Sequence, residues 1–431
     1  MEGGRARPDL WLTPVRDALP LTKLLRGGIT WRRLTSAPFV SVCASALLLG
    51  AAACGHSSDD GLPPLAPSST PAPDSDPYTR LSPQFDPLKG ATAEYGELNG
   101  GVFQIEMPIA WNGDLVIYFR GARGGAELSV DQPPLRSYLI SHGYAWAATS
   151  YNTNVHISGA SADQSAVLWD YFARRFRKPK HTYAVGDSMG GAGALVAAEN
   201  YKDRFSGALV SCGVAGVYPT YDLTADLLAV GAYAVGVTQA EFESTPISQL
   251  VYQRIEPAVE APGPIRDRFL SIWIDITGGV RPFDVDGYNL RAKALWGLIV
   301  GDLSIGLSDN QTTEYTFSNQ SGLDSADFNR KAVRVRAGPQ RTIKPDNDPG
   351  GDIKVPVIML HTSGDGIVPL SEFKMNVGRI LAHAGGDLFR VHVFDRPGHC
   401  EFALLESSQA FADLVQWVEG GVEPTLETRA G

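Results

Sequence analysis

The chain has 431 residues, 44% of them hydrophobic and 19% charged, with a formal net charge of −10. That balance is ordinary for a globular protein, supplies apolar material for a large core, and leaves room for more than one folded unit. The acidic charge, with no basic stripe interleaved with aromatics, argues against a nucleic-acid partner.

Residues 1–38 carry several Arg and Pro and no clear periodicity. Arg32-Arg33 then precede an uncharged run, Leu34 to Ser58, whose most apolar part is Phe39 to Ala53. That part is short for a membrane span and suits the apolar region of a signal peptide. It closes on Leu49-Gly50-Ala51-Ala52-Ala53-Cys54. Small residues directly before a cysteine resemble the lipobox of bacterial lipoproteins, whose cysteine is lipidated and becomes the mature N-terminus. Ala51 departs from the larger aliphatic residue preferred there. Residues 1–54 are therefore expected to be an export signal with Cys54 as the lipid site, and the rest of the chain an envelope lipoprotein or secreted. An uncleaved N-terminal anchor is the alternative. Residues 55–90, rich in Pro, Ser and Asp, cannot bury enough surface to fold and read as a disordered tether.

The folded region is expected to begin near Ala91. Tyr95–Leu98 and Val102–Met107 flank Asn99-Gly100, a hairpin signal of the type I′ kind. Leu115–Phe119 is a continuous apolar run suited to a buried central strand. Tyr144–Ser150 reads as the next strand and Ser161–Phe176 as an amphipathic helix. His181 to Ala198 starts with strand formers, turns at Gly186-Asp187-Ser188-Met189-Gly190, and continues as a small-residue run compatible with helix. Strand, G-x-S-x-G, helix is the pattern of a nucleophile elbow. The turn holds Ser188 in a strained conformation, and side chains at positions 186 and 190 would collide there. The Met189 N–H, at the start of a helix, points where an oxyanion would form. A Gly-rich turn with an incidental serine is the bland alternative, so the pattern needs partners.

Gly207–Ser211 makes another strand, and Val355–Leu360 and Leu388–Phe394 are the last two. Helices are expected at Glu372–Ala384 and Phe402–Val418. Strands alternating with helices imply a mostly parallel sheet covered on both faces, with its chemistry at the strands' carboxyl ends. The interval from Val214 to Ile353 lacks that alternation. It holds apolar helical patches (Leu223–Val237, Ile265–Ile276, Leu290–Val300) and a polar, irregular part from Ser308 to Gly351. It reads as a cap inserted between the last strands, a separate second domain being the alternative. The expected division is a core of 91–213 and 354–421, a cap of 214–353 and a C-terminal tail of 422–431.

A serine nucleophile needs a base and a carboxylate to orient that base. Of eight histidines, seven have bland settings in the tether, within or beside strands, at helix ends or in an unpartnered loop. His399 differs: it lies in Arg396-Pro397-Gly398-His399-Cys400, directly after the last strand and before the last helix. Asp365, in Ser363-Gly364-Asp365-Gly366, follows the penultimate strand, although Asp-Gly is also a common turn pair. The order Ser188, Asp365, His399, all at strand carboxyl ends, is that of one known triad arrangement.

With these residues in view, the chain resembles the α/β-hydrolase-fold serine hydrolases from about Ala91 to Gly421. Gly186–Gly191, Gly364–Pro369 and Gly398-His399 match that superfamily's nucleophile, acid and base loops. Trp111–Val116, Pro133–Arg136, Cys212–Val214 and Gly398–Cys400 further resemble a group of bacterial secreted hydrolases. The resemblance implies an ester hydrolase, with an amidase or peptidase of the same fold, or a non-catalytic binding protein on that scaffold, as alternatives. Where many relatives carry His-Gly after the strand Leu115–Phe119, this chain has Arg120-Gly121. The second oxyanion donor implied is the Ala122 N–H, and Arg120 would either orient the loop or bind an anionic part of the substrate. No metal motif and no cofactor is expected, and the partner implied is a small-molecule or polymeric ester. Of four cysteines, Cys43 lies in the signal segment and Cys54 at the lipid site. An exported core is left with Cys212 and Cys400, which that fold would bring to the same edge of the site. A disulfide between them is expected, two buried free thiols being the alternative.

Overall fold

The structure, a computed structural model, describes residues 76–425 apart from 156–157, 282–291, 318–322, 340, 342–347 and 384. The expected export signal, Cys54, the tether as far as residue 75 and the end of the C-terminal tail lie outside these. Among the described residues no helix is long and apolar enough to cross a membrane.

The main sheet is assembled from strands that are buried on both faces. β4 (Leu115–Phe119), β6 (Ala145–Thr149) and β8 (Gly207–Ser211) are buried at every residue, and β7 (Thr182–Asp187) at all but its last. Such strands require helices on both sides. The sheet has eight strands in the order β10-β9-β8-β7-β4-β6-β3-β2. β2 (Ala91–Leu98) and β3 (Gly101–Pro108) form the antiparallel end, turning through Asn99 and Gly100, both with positive φ. β3 also runs antiparallel to β6, and from β6 to β10 every pairing is parallel. β4 lies between β6 and β7, so the chain leaves it on one side and returns on the other. Sheets of this kind open a crevice at such a reversal, outside the carboxyl ends of the strands.

One face of the sheet is covered by α2 (Ser158–Arg175), α3 (Met189–Asn200) and α8 (Leu370–Ala382), and the other by α1 (Arg136–Ser141) and α9 (Leu404–Gly420). β9 (Val357–Gly364) pairs directly with β8, and β10 (Phe389–Pro397) closes the edge. The interval of more than a hundred residues between β8 and β9 is therefore an excursion from one sheet. It has its own core, built on α4 (Val217–Val235), α5 (Pro264–Ile276), α6 (Ala292–Ile305) and α7 (Ser325–Lys331). The stretch after Ser308 is better organised than its polarity suggests. Asn310 donates to Tyr315 and the Val333 carbonyl and accepts from the Val335 N–H, and Tyr315 donates to buried Asp226 at 2.6 Å.

The expected start near Ala91 has to move upstream. Residues 76–90 are packed on the core and are not a tether. β1 (Thr79–Arg80) pairs with β5 (Glu127–Leu128), Gln104 donates to the Pro83 carbonyl, and the Phe85 ring sits 5.7 Å from that of Trp146. Composition misses this because the segment is held by side chains of distant residues. Their centre is Glu106, fully buried on β3. Its carboxylate accepts from Arg136 Nε at 2.7 Å and Nη2 at 3.0 Å, from Trp146 Nε1 at 2.6 Å, and from the Leu88 N–H. Arg136 also donates to the Asp86 carbonyl, tying segment, sheet and α1 together.

Removing the cation would leave Glu106 buried with only its neutral donors. Arg136→Ala is expected to lower unfolding stability by about 3 kcal/mol, the bottom of the range for breaking a buried pair, because Arg136 is partly exposed. Urea titration reads this, and a loss below about 1 kcal/mol would mean that the pair is no more than a surface contact.

Candidate active site

Each residue at the crevice is placed by the end of a strand. β7 delivers Ser188 at φ 56° and ψ −123°, a conformation that L residues adopt only under strain. The neighbouring glycines are what allow it. A Cβ on Gly190 would strike the Phe119 carbonyl at the end of β4, and one on Gly186 would strike the carbonyl of Gly190. The Ser188 N–H donates to the Ser211 carbonyl at 2.9 Å, and its own carbonyl accepts from Gly191 and Val214, so β8 braces the turn from the other side. The Tyr118 hydroxyl donates to Asp187 at 3.0 Å, and burial pushes the Asp187 carboxyl up to about 6.

His399 stands over this turn. Its Nε2 lies 3.0 Å from Ser188 Oγ and its Nδ1 lies 2.7 Å from Asp365 Oδ2. Asp365 is fully buried, and its other oxygen accepts from the Ile367 and Val368 N–H groups at 2.9 Å each. The carboxylate is thus held from both ends. The base loop is tied to the acid loop as well, through Thr362 Oγ1 to the Gly398 carbonyl and Gly398 N–H to the Gly364 carbonyl. Cys400, next to the base, is joined to Cys212 at the end of β8 in a disulfide, with Cα atoms 5.3 Å apart. Both cysteines have positive φ.

Ala122 and Met189 line the same cavity as Ser188, of about 430 Å³. Met189 is the first residue of α3, whose leading N–H groups have no partner within the helix. Arg120 does not reach this space. It is buried, donates to the Ser150, Thr153 and Gly121 carbonyls and to Asn154 Oδ1, and stacks on Tyr151. Of the two roles open to it, the structure assigns loop orientation. The remaining described histidines stay away from the serine. His361 is fully buried against Phe373, and burial pushes it down to about 4, so it is neutral. His181 lies between Asp114 (3.3 Å) and Glu419 (3.6 Å) at the opposite end of β7, where the Trp111–Asp114 turn is pinned by Lys180. His156 is outside the described residues.

Sequence reasoning missed three features here. The Tyr118–Asp187 contact joins residues far apart in the chain. Glu372, which accepts from the Ala215 N–H and the Thr220 hydroxyl where the cap departs, carries no local motif. Asp302, in the cavity wall, lies two residues past the apolar patch Leu290–Val300 and belongs to no motif.

A parallel sheet reversing at β4, a strained serine at the end of β7, and acid and base loops after β9 and β10 decide the fold. The chain has the α/β-hydrolase fold. Residues 164–335, which include the elbow and most of the cap, match the family described as "Putative esterase". A curated o-phthalyl amidase of Xanthobacter agilis is 35% identical over 85 residues, 19% of each chain, so this chain matches about a fifth of that relative's length. Among solved structures, feruloyl esterase B of Aspergillus oryzae aligns at a TM-score of 0.42 and 14% identity, covering 76% of this chain and 80% of its own. An acylaminoacyl peptidase of Pyrococcus horikoshii aligns at 0.40 and 9%, covering 77% of this chain and 42% of its own. An esterase of Pyrococcus furiosus aligns at 0.40 and 11%, covering 79% and 95%.

The disulfide gives a direct check on the base loop. Thiol titration of the denatured, unreduced core is expected to find Cys212 and Cys400 unreactive. Reduction should cost about 2–4 kcal/mol, the usual range for a bond closing a long loop. Two reactive thiols before reduction would remove the bond from the account.

Proposed function

We propose that the chain is a serine hydrolase cleaving carboxylic esters through an acyl-enzyme. The observation that carries this is the unbroken chain of contacts from Asp365 through His399 to Ser188 at 2.7 and 3.0 Å. In the resting state His399 Nδ1–H donates to Asp365 and Nε2 accepts from the Ser188 hydroxyl. As Oγ attacks the carbonyl carbon, Nε2 takes its proton and the carbonyl oxygen becomes an oxyanion facing the N–H groups of Met189 and Ala122. The C–O bond to the alcohol then breaks, and the imidazolium returns its proton to the leaving oxygen. Water, deprotonated by the same imidazole, attacks the acyl carbon, and Ser188 leaves with the proton restored. Every proton step uses one imidazole. Buried Asp365 keeps that imidazole in one tautomer and stabilises its charged form.

The mechanism would also cleave an amide, since only the leaving group differs. The 35% identity to an o-phthalyl amidase over 85 residues favours keeping that reading as second. Matched ester and anilide substrates separate the two, and we expect the ester to be faster.

A fluorophosphonate probe is expected to label the protein at Ser188 and to fail on Ser188→Ala, with esterase turnover lost by about 10³-fold or more, the scale of removing a triad member. Labelling that persists in the variant would reject Ser188 as nucleophile. His399→Ala should match that loss, whereas Asp365→Asn should leave more residual rate.

Export is part of the same reading and rests on the sequence before residue 76. Mass spectrometry of the membrane fraction is expected to find a diacylglyceryl-modified Cys54 as the mature N-terminus. An unmodified N-terminus elsewhere would leave secretion or an uncleaved anchor.

A further inference from the structure

The cavity that opens on Ser188 is walled on the cap side by α4 and α6, with Leu223, Leu227, Leu298 and Ile305 supplying apolar surface. Into that wall α6 sets one acidic side chain, Asp302. It makes no hydrogen bond or ion pair with any described residue. The other ionisable groups of the cavity cannot neutralise it. Arg123, on the loop after β4, is bound to Asp131 and Ser129. Tyr221, on α4, is held neutral, burial pushing its hydroxyl up to about 12, and Tyr78 bonds to Thr153. A lone carboxylate beside leucines and isoleucines is costly to keep and contributes nothing to the packing of α6. A binding pocket gains orientation from a polar group placed in this way.

We propose that Asp302 is a specificity residue that receives a cationic group of the substrate, so that the hydrolase acts on esters bearing an ammonium or guanidinium group away from the scissile bond. The inference rests on the serine-hydrolase reading above and adds the substrate class to it. A cation in this cavity would find a single carboxylate in low-dielectric surroundings, where a charge pair is stronger than in water. Burial, the one cause acting on it, pushes the Asp302 carboxyl up to about 7. Below that pH the group is protonated and offers no charge. Above it the carboxylate forms, so preference for a cation should rise with pH through about 7. Any pH dependence of the chemical steps acts equally on two isosteric substrates, so the ratio of their kcat/KM values isolates Asp302.

The test compares choline butyrate with its neutral isostere 3,3-dimethylbutyl butyrate. A second pair, a p-nitrophenyl ester with a terminal trimethylammonium on the acyl chain and its tert-butyl analogue, covers the other side of the bond. In at least one pair the cationic ester is expected to have a kcat/KM about tenfold higher at pH 8, a ratio that falls toward one at pH 6. Asp302→Asn should flatten the ratio at every pH, and Asp302→Glu should retain part of it. If the neutral esters are hydrolysed with no cation preference in either pair, the inference is overturned and the hydrolase reading stands. If no ester is hydrolysed, the hydrolase reading itself fails. The site is then read by melting the protein with butyltrimethylammonium. Protection present in the wild type and absent in Asp302→Asn supports it, and equal or no protection overturns it.

Discussion

Ser188 can be strained only because three backbone segments press on it at once. The carbonyl at the end of β4 lies against Gly190, the carbonyl of Gly190 lies against Gly186, and Ser211 at the end of β8 receives the Ser188 N–H. A backbone held at positive φ costs roughly 1–3 kcal/mol and persists only where the surroundings overdetermine it. Here the surroundings are the carboxyl ends of three adjacent strands. The parallel pairing of β4, β7 and β8, in register at Phe119 with Gly186 and Asp187 with Ser211, is therefore a condition of the exposed hydroxyl as much as of the core. The small residues of α3 follow from the same constraint, because Gly191 and Gly193 let the helix approach Gly213 and Phe119 more closely than any side chain would permit.

The base is held by different means. His399 sits on a loop rather than on a strand, and loops are the mobile part of such a scaffold. Three independent ties offset that. The Asp365 contact fixes the imidazole, the hydrogen bonds of Gly398 to Thr362 and Gly364 fix the backbone before it, and the bond from Cys400 to Cys212 fixes the backbone after it. Since Cys212 directly follows the strand that braces Ser188, the disulfide joins base and nucleophile supports through one short path. The same junction carries the root of the cap. Glu372 and Asn376 on α8 hold Ala215 and Val214, Arg379 reaches the Ala215 carbonyl, and Asp348 accepts from Val217 and Tyr218 at the start of α4.

Much of this was legible in the sequence where the signal is local. Asn99-Gly100 fixes a hairpin by its own positive φ values, LVIYF has no polar face to expose, and the elbow is written in five consecutive residues. The Ser-Asp-His order became readable because each residue directly follows an apolar run, and those runs are the strands. What could not be read is held by partners remote in sequence. The segment at 76–90 looks like linker by composition, yet Glu106, Arg136 and Trp146 hold it. Arg120 could have pointed either into the cavity or away, and only the carbonyls of Ser150 and Thr153, thirty and more residues on, decide that it points away. Asp302 lies beyond the apolar patch Leu290–Val300, on the last turn of a helix that runs on to Ile305. Its meaning depends on which face of α6 meets α4, and periodicity cannot settle that for a helix packed on several sides.

The cavity lies between the loops of the sheet and the helices of the cap, and the division between them separates reaction from selection. The residues that would move protons belong to the sheet and its loops, whereas Leu223, Leu227 and Asp302 belong to helices whose other faces are buried in the cap's own core around Trp273 and Trp296. A substitution on the cavity face of α4 or α6 therefore changes what the pocket accepts without touching the register of β4, β7 and β8. The converse does not hold. The cap's root is bonded through Glu372, Asn376 and Arg379 to the helix that follows Asp365, so disturbing α8 would shift acid loop and pocket wall together. Glu372 sits at that joint with its carboxyl pushed up to about 7 by burial, so its bonds to Ala215 and Thr220 make a link between sheet and cap that depends on its charge.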